Sequence, residues 1–176
     1  IHLLNSEADL TNNTLLGGNA TRGGGIYVDT DSTLHLDNTF IGGTQTGYGL
    51  FNDSGTVTAN YTAWWSNTPS HEDADALGSN PIDLTVDGTA PQFHIYTADA
   101  DCTDDVLAPT GTSPLINGGN PDSSFNDADG SRNDVGAYGG ASAGTDSDND
   151  GYVAAVDCND NVPSVYPGAT ETVGND

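Results

Sequence analysis

The sequence predicts an all-β solenoid, a stack of coils with three short strands per turn, followed by a small acidic module. Three observations lead there. First, the chain repeats itself: Asn12-Asn13-Thr14-Leu15-Leu16-Gly17-Gly18 matches Asp37-Asn38-Thr39-Phe40-Ile41-Gly42-Gly43, with a weaker copy at Asn60-Tyr61-Thr62-Ala63-Trp64. Gly23-Gly24-Gly25-Ile26-Tyr27-Val28-Asp29 matches Gly47-Tyr48-Gly49-Leu50-Phe51-Asn52-Asp53, and Ser32 to Leu36 matches Gly55 to Ala59. The offsets are 23 to 25 residues, and periods of this size mark stacked repeats. Second, each period holds short alternating segments such as Thr33 to Leu36, separated by glycine and Asx turns. Third, 23 glycines and abundant Asn, Asp and Thr favour turns and strands over helices. Leu34, Leu36, Ile41, Val57 and Ala59 are expected to point inward. Asn13 and Asn38, at matching positions, are expected to form an asparagine ladder inside the coil.

Over residues 8 to about 66 these repeats resemble the right-handed parallel β-helix repeat of bacterial secreted proteins, which implies that fold. From Asn67 to Asp105 the period is lost, and the strand candidates are Ile82 to Val86 and Gln92 to Tyr96. The next run, Gly111-Thr112-Ser113-Pro114-Leu115-Ile116-Asn117-Gly118-Gly119-Asn120-Pro121 with Phe125 to Gly140, resembles the closing segment of bacterial surface β-helix proteins. That resemblance implies that it finishes the last coils, where it would blunt an open sheet edge. Asp127, Asp129 and Asp134 around Arg132 read as a buried charge cluster, with another cation site as the alternative. Residues 1–140 therefore form the β-helix with its closing segment, 141–145 a linker, and 146–176 a separate acidic repeat.

In that repeat, Asp146-Ser147-Asp148-Asn149-Asp150-Gly151-Tyr152 is followed by Asp157. The carboxylates fall at positions 1, 3, 5 and 12 of a loop, with glycine at 6. A hard cation with oxygen ligands needs this pattern: alternate residues turn their carboxylates inward, glycine permits the sharp turn, and position 7 offers a carbonyl. Asp146, Asp148, Asp150, the Tyr152 carbonyl and Asp157 are the expected calcium ligands. Aspartate at position 12 reaches less far than glutamate, which suits a calcium-rich extracellular fluid. A solvated acidic linker is the alternative. The stretch Asp146 to Glu171 resembles the acidic metal-binding repeat of MopE-type bacterial surface proteins and, more loosely, the calcium repeats of thrombospondin type 3. The resemblance implies a second calcium that shares Asp157 and uses Asn159, Asp160 or Asn161, and Glu171. Thr172 and Val173 stand where that family usually has a cysteine. No helix pattern follows Asp157 and Pro163 breaks the run, so this is not a helix-loop-helix EF-hand.

Charge narrows the partners. The formal net charge is −24, with no lysine and only Arg22 and Arg132 as basic residues. Nucleic acid and anionic lipid would be repelled, and bound cations would relieve the self-repulsion. No apolar run is long enough to span a membrane. The chain begins at Ile1 without methionine and reads as a mature product or a segment of a longer secreted protein. Cys102 and Cys158 are the only cysteines. In an oxidising compartment they are expected to pair, stabilising by about 4 kcal/mol through loop closure; free thiols or pairing to another chain are the alternatives.

Enzymatic chemistry finds little support. A lyase acting on uronates needs a cationic base and positive groups. A glycoside hydrolase needs two carboxylates roughly 5 to 9 Å apart; Asp29 and Asp53, on successive coils, fit that spacing but read as solvated turn residues. His71-Glu72-Asp73 lacks a second histidine. Trp64 and Trp65 read as cover for the coil, with sugar stacking as the alternative. The triplets at Asn12, Asn19, Asn52 and Asn60 match the glycosylation pattern. The expected function is therefore a non-enzymatic extracellular or cell-surface structural module, an adhesin or filament subunit stabilised by calcium. It is expected to assemble end to end through Ile1 to Leu10, with a glycan or cell-surface ligand as a further partner. A carbohydrate-active β-helix enzyme and a carbohydrate-binding module using Trp64 or Trp65 are the alternatives.

Overall fold

The computed structural model describes residues 1–69, 78–84, 90–97, 105–144, 147–148, 152, 157, 159–166 and 169. It is all-β, built on parallel sheets. The first sheet contains β1 (His2–Leu3), β4 (Ile26–Val28) and β7 (Leu50–Asn52). The second contains β2 (Glu7–Thr11), β5 (Thr33–Asp37) and β8 (Thr56–Asn60). The third contains β3 (Thr14–Leu16), β6 (Phe40–Gly42), β9 (Ala63–Trp65) and β10 (Ile82–Asp83). The chain thus visits the three sheets in fixed order three times and returns once more to the third. Every pairing within these sheets is parallel. An antiparallel hairpin of β11 (Phe93–Ile95) and β12 (Val106–Pro109) stands apart.

Side-chain alternation explains the core. Successive residues of a strand face opposite sides of its sheet. Leu3, Ile26, Val28 and Leu50 from the first sheet meet Leu34, Leu36 and Ala59 from the second and Ile41 and Trp64 from the third in one cluster. Val57, expected inward, packs against it partly buried. Most of these side chains have no exposed surface, each worth about 1.5–3 kcal/mol of transfer free energy. The other face of the third sheet carries a second cluster, in which Phe40 and Ala63 meet Leu84, Leu115 and Val135. This is why every residue of β6 is buried.

Register corrects the sequence alignment by one residue. Thr14 pairs with Phe40 and Leu15 with Ile41, an offset of 26, whereas matching the Asn-Thr and Gly-Gly letters gives 25. A one-residue slip would exchange the two faces of the strand. Leu15 must face inward with Ile41 and Trp64, so burial overrides letter identity. Asn38 therefore stacks against Asn12 rather than Asn13, and the expected Asn13–Asn38 ladder is not formed. Asn12, Asn38 and Tyr61 occupy one corner, with φ of 55°, 49° and 48°. Asn13 donates its amide to the Thr11 carbonyl instead, and Thr39 Oγ1 makes the equivalent bond to Asp37.

The segment 111–140 was expected to cover the end of the stack. It runs instead along the outer face of the third sheet. Gly136 N–H donates to the Asn38 carbonyl at 2.9 Å, and Ala137 N–H donates to Thr14 Oγ1 at 3.0 Å. Asn120 N–H donates to Asn38 Oδ1 at 2.7 Å. The apolar Phe40 and Ala63 dictate this placement, because they need cover that their own circuits do not supply. Beyond β9, β10 and the bond from Tyr61 N–H to Ser79 O begin a fourth pass.

Candidate functional site

Of the expected calcium ligands, Asp146, Asp150 and Glu171 lie outside the described residues, as do Cys102, Cys158 and His71-Glu72-Asp73. Asp148, Tyr152, Asp157, Asn159, Asp160 and Asn161 lie within them. Asn159 N–H donates to Asp157 Oδ1 at 3.3 Å and Asn161 N–H to Asn159 Oδ1 at 3.4 Å, both Asx-type bonds. Ser147 donates to both oxygens of Asp160, its backbone N–H at 3.0 Å and its hydroxyl at 2.5 Å. Asp160 is thereby tied to the loop opening. Tyr152 stacks on Tyr166, with ring centroids 5.3 Å apart and planes 8° from parallel. The Oδ2 atoms of Asp148 and Asp157 are shielded from solvent, and that of Asp157 has no hydrogen-bond partner among the described residues. A buried carboxylate oxygen without a donor is costly, and a cation there would satisfy it. Carboxylate and carbonyl oxygens are the donors a hard cation takes. Among the described residues alone, no three His, Cys, Asp or Glu side chains form a metal-holding group.

The Asp29–Asp53 pair is otherwise engaged. Tyr27 Oη donates to Asp53 Oδ2 at 2.6 Å, Arg22 lies 3.8 Å from the same oxygen, and Asp29 Oδ1 accepts from Thr30 N–H. The bond to Asp53 holds the Tyr27 hydroxyl above its ordinary pKa.

Arg132 does not sit at the centre of the acidic cluster. Its Nε donates to the Gly119 carbonyl at 2.6 Å, and its guanidinium lies 5.6 Å from the Tyr61 ring centroid. Asp127 instead collects backbone donors, from Asp134 and from Gly140 at 2.5 Å, and Asp134 Oδ1 accepts from Asn117 N–H at 2.6 Å. Burial pushes both carboxyls upward, Asp134 to about 6. These bonds tie Asn117, Asp127, Asp134 and Gly140 into one cluster. Trp64 is wholly buried in the main core, which removes it as a sugar platform. Trp65 is half-buried and meets Tyr96 edge-to-face at 6.1 Å. Of the four glycosylation triplets, only the one at Asn19 has an exposed asparagine.

β1, β2 and β3 are the edge strands of their sheets. Leu3 is buried, while Ile1 is 53% and Leu4 64% exposed. No helix among the described residues is long and apolar enough to cross a membrane. No protein-family model, curated protein or solved structure matches the chain.

Proposed function

We propose that this chain is a non-enzymatic extracellular structural module: a right-handed parallel β-helix, stacking end to end, with a calcium-binding acidic repeat of the MopE type at its C-terminal side. The three-sheet itinerary supports the coil. The observation behind the assembly is that β1, β2 and β3 are the outermost described strands of their sheets, beside exposed Ile1 and Leu4, and a second copy is the proposed cover for them. The other end of the stack differs, so contact between copies is heterologous and propagates rather than closing into a pair. The shielded Asp157 oxygen supports the cation. Bound calcium would hold Asp148 and Asp157, and Asp146 and Asp150 at the loop positions of the sequence pattern, and would lower the repulsion between subunits of charge −24. Light scattering and electron microscopy in millimolar calcium test the reading, and filaments are the expected result. A monomer at high concentration whose Ile1 to Leu4 segment stays open to protease would overturn it.

A further inference from the structure

Beside the β11–β12 hairpin, along the third sheet, lies a cleft of about 740 Å³ that the calcium loop does not line and whose one end is formed by Thr14 and Leu16 of β3. Its floor is built by repetition. The residues that follow β3, β6 and β9 are Gly17, Gly43 and Ser66, with φ of 76°, 67° and 48°. The three turns stack, Gly17 N–H donating to Gly42 O and Gly43 N–H to Trp65 O, both at 2.9 Å. Glycine suits this left-handed backbone and leaves the floor open. A Cβ at Gly17 would meet nothing within 4 Å, and one at Gly43 would stand 3.7 Å from Tyr96 Oη.

The walls combine two chemistries. Trp65, Tyr96, Leu16 and Leu107 supply apolar surface, and Gln45, Thr68 and Asp105 supply polar groups at the rim. The Asp105 carboxylate is fixed through Oδ1, which accepts from Thr97 N–H at 2.9 Å. The two arginines of the chain are elsewhere: Arg22 lies over Phe51 and Arg132 over Tyr61. A ligand here needs a flat apolar face for the aromatic rings, several hydroxyls for the amide and carboxylate, and no negative charge. A neutral sugar ring has all three, its C–H face being apolar and its edge polar.

We infer that this cleft binds a neutral hexose-based oligosaccharide, with Trp65 and Tyr96 as platform and Asp105 and Gln45 as hydroxyl partners. The ligand runs along the stack, meeting equivalent backbone positions about 4.8 Å apart at each turn. Concave, largely preformed clefts with a few fixed polar groups are where small ligands bind. The site shares no residue with the acidic loop, so it stands or falls separately from the cation.

The chain has two tryptophans, and Trp64 has no exposed surface, so ligand-dependent emission reports on Trp65. The protein is titrated with cellohexaose, mannohexaose and chitohexaose, and with an oligogalacturonate, in calcium and in excess chelator. At least one neutral hexaose is expected to shift the emission to the blue, with the same affinity in calcium and chelator, and the oligogalacturonate is expected to leave it unchanged. Trp65→Ala should abolish binding measured by calorimetry. Because Trp65 also packs on Phe40 and its neighbours, Asp105→Asn is the second variant, expected to weaken binding about tenfold without moving the unfolding midpoint. No response to any neutral hexaose, equal binding of the anionic sugar, binding lost in chelator, or undiminished binding in both variants would overturn the inference.

Discussion

The three-sheet body and the acidic stretch near the C-terminus obtain their order in opposite ways. In the body, each circuit bonds to the next across long sequence separations. Thr33 N–H donates to Ser6 O, and Thr56 N–H to Ser32 O, both at 2.9 Å. Behind these ladders stands a core of aliphatic side chains and Trp64. In the described part of the acidic stretch the bonds are short-range: Asn159 to Asp157, Val162 N–H to Asn159 O, Ala169 N–H to Tyr166 O. The longer ties are the Ser147–Asp160 bonds and the Tyr152–Tyr166 stack. Apolar burial is indifferent to counterions, whereas a stretch dense in carboxylates repels itself and depends on them. The body should therefore tolerate chelation, and the acidic stretch should not.

The largest effect expected is in the body. Trp64→Ala should cost about 3–5 kcal/mol in urea unfolding, since a large side chain shared by all three sheets leaves a cavity. A cost under about 1 kcal/mol would mean that the sheets do not share one core. Next comes the corner that joins the body to its lateral segment. Asn38→Ala strips the acceptor from Asn120 N–H and places a methyl group on a left-handed backbone, at about 1–3 and 1–2 kcal/mol respectively. Asn38→Gly should recover the backbone part alone; equal losses in the two variants would show that the hydrogen bond carries the whole effect.

The acidic stretch should respond in affinity rather than in global stability. Asp157→Asn is expected to weaken calcium binding at least tenfold by calorimetry, about 1.4 kcal/mol, with the unfolding midpoint of the body unchanged. A midpoint that shifts with calcium would show that the two regions are coupled.

The smallest effect is a pH dependence of the lateral segment. Asp134 titrates at about 6 in the folded chain, above its ordinary 3.8, because it is partly buried beside Asp127. Between those values the folded state holds the extra proton, so this group's contribution to stability is present below pH 4 and is lost as pH rises through 6. Asp134→Asn should therefore stabilise the chain at pH 7.5, by about 1 kcal/mol once the solvent-exposed part of the group is discounted. At pH 4 it should change little. A variant equally stabilised at both pH values would locate the effect outside this titration.

Much of the body was legible in the letters. The glycine-bounded triplets and alternating Thr33 to Leu36 set the strands, and Leu34, Leu36 and Ile41 face inward as their alternation implied. The repeat appeared to begin at residue 8, yet β1 joins the first sheet from His2. So short a strand has no period of its own and is defined by its partner β4. In the acidic stretch the expected oxygen ligands were read from spacing alone, because a local loop needs only local sequence. The Trp65–Tyr96 cleft gave no such signal, since its parts come from strands far apart in the chain.

The sequence by itself determined the period and most of the strands of the three parallel sheets, which depend on neighbours within a few residues. Only the tertiary structure decided the register, the lateral course of 111–140 and the partner of Arg132. Letter identity could not separate an offset of 25 from one of 26, but burying Leu15 with Ile41 and Trp64 does, because one residue of slip turns a strand's apolar face to water. In the same way Phe40 and Ala63 faced away from the main core and needed cover, and Leu115 and Val135 supplied it. Non-local burial, rather than local propensity, settled each of these choices.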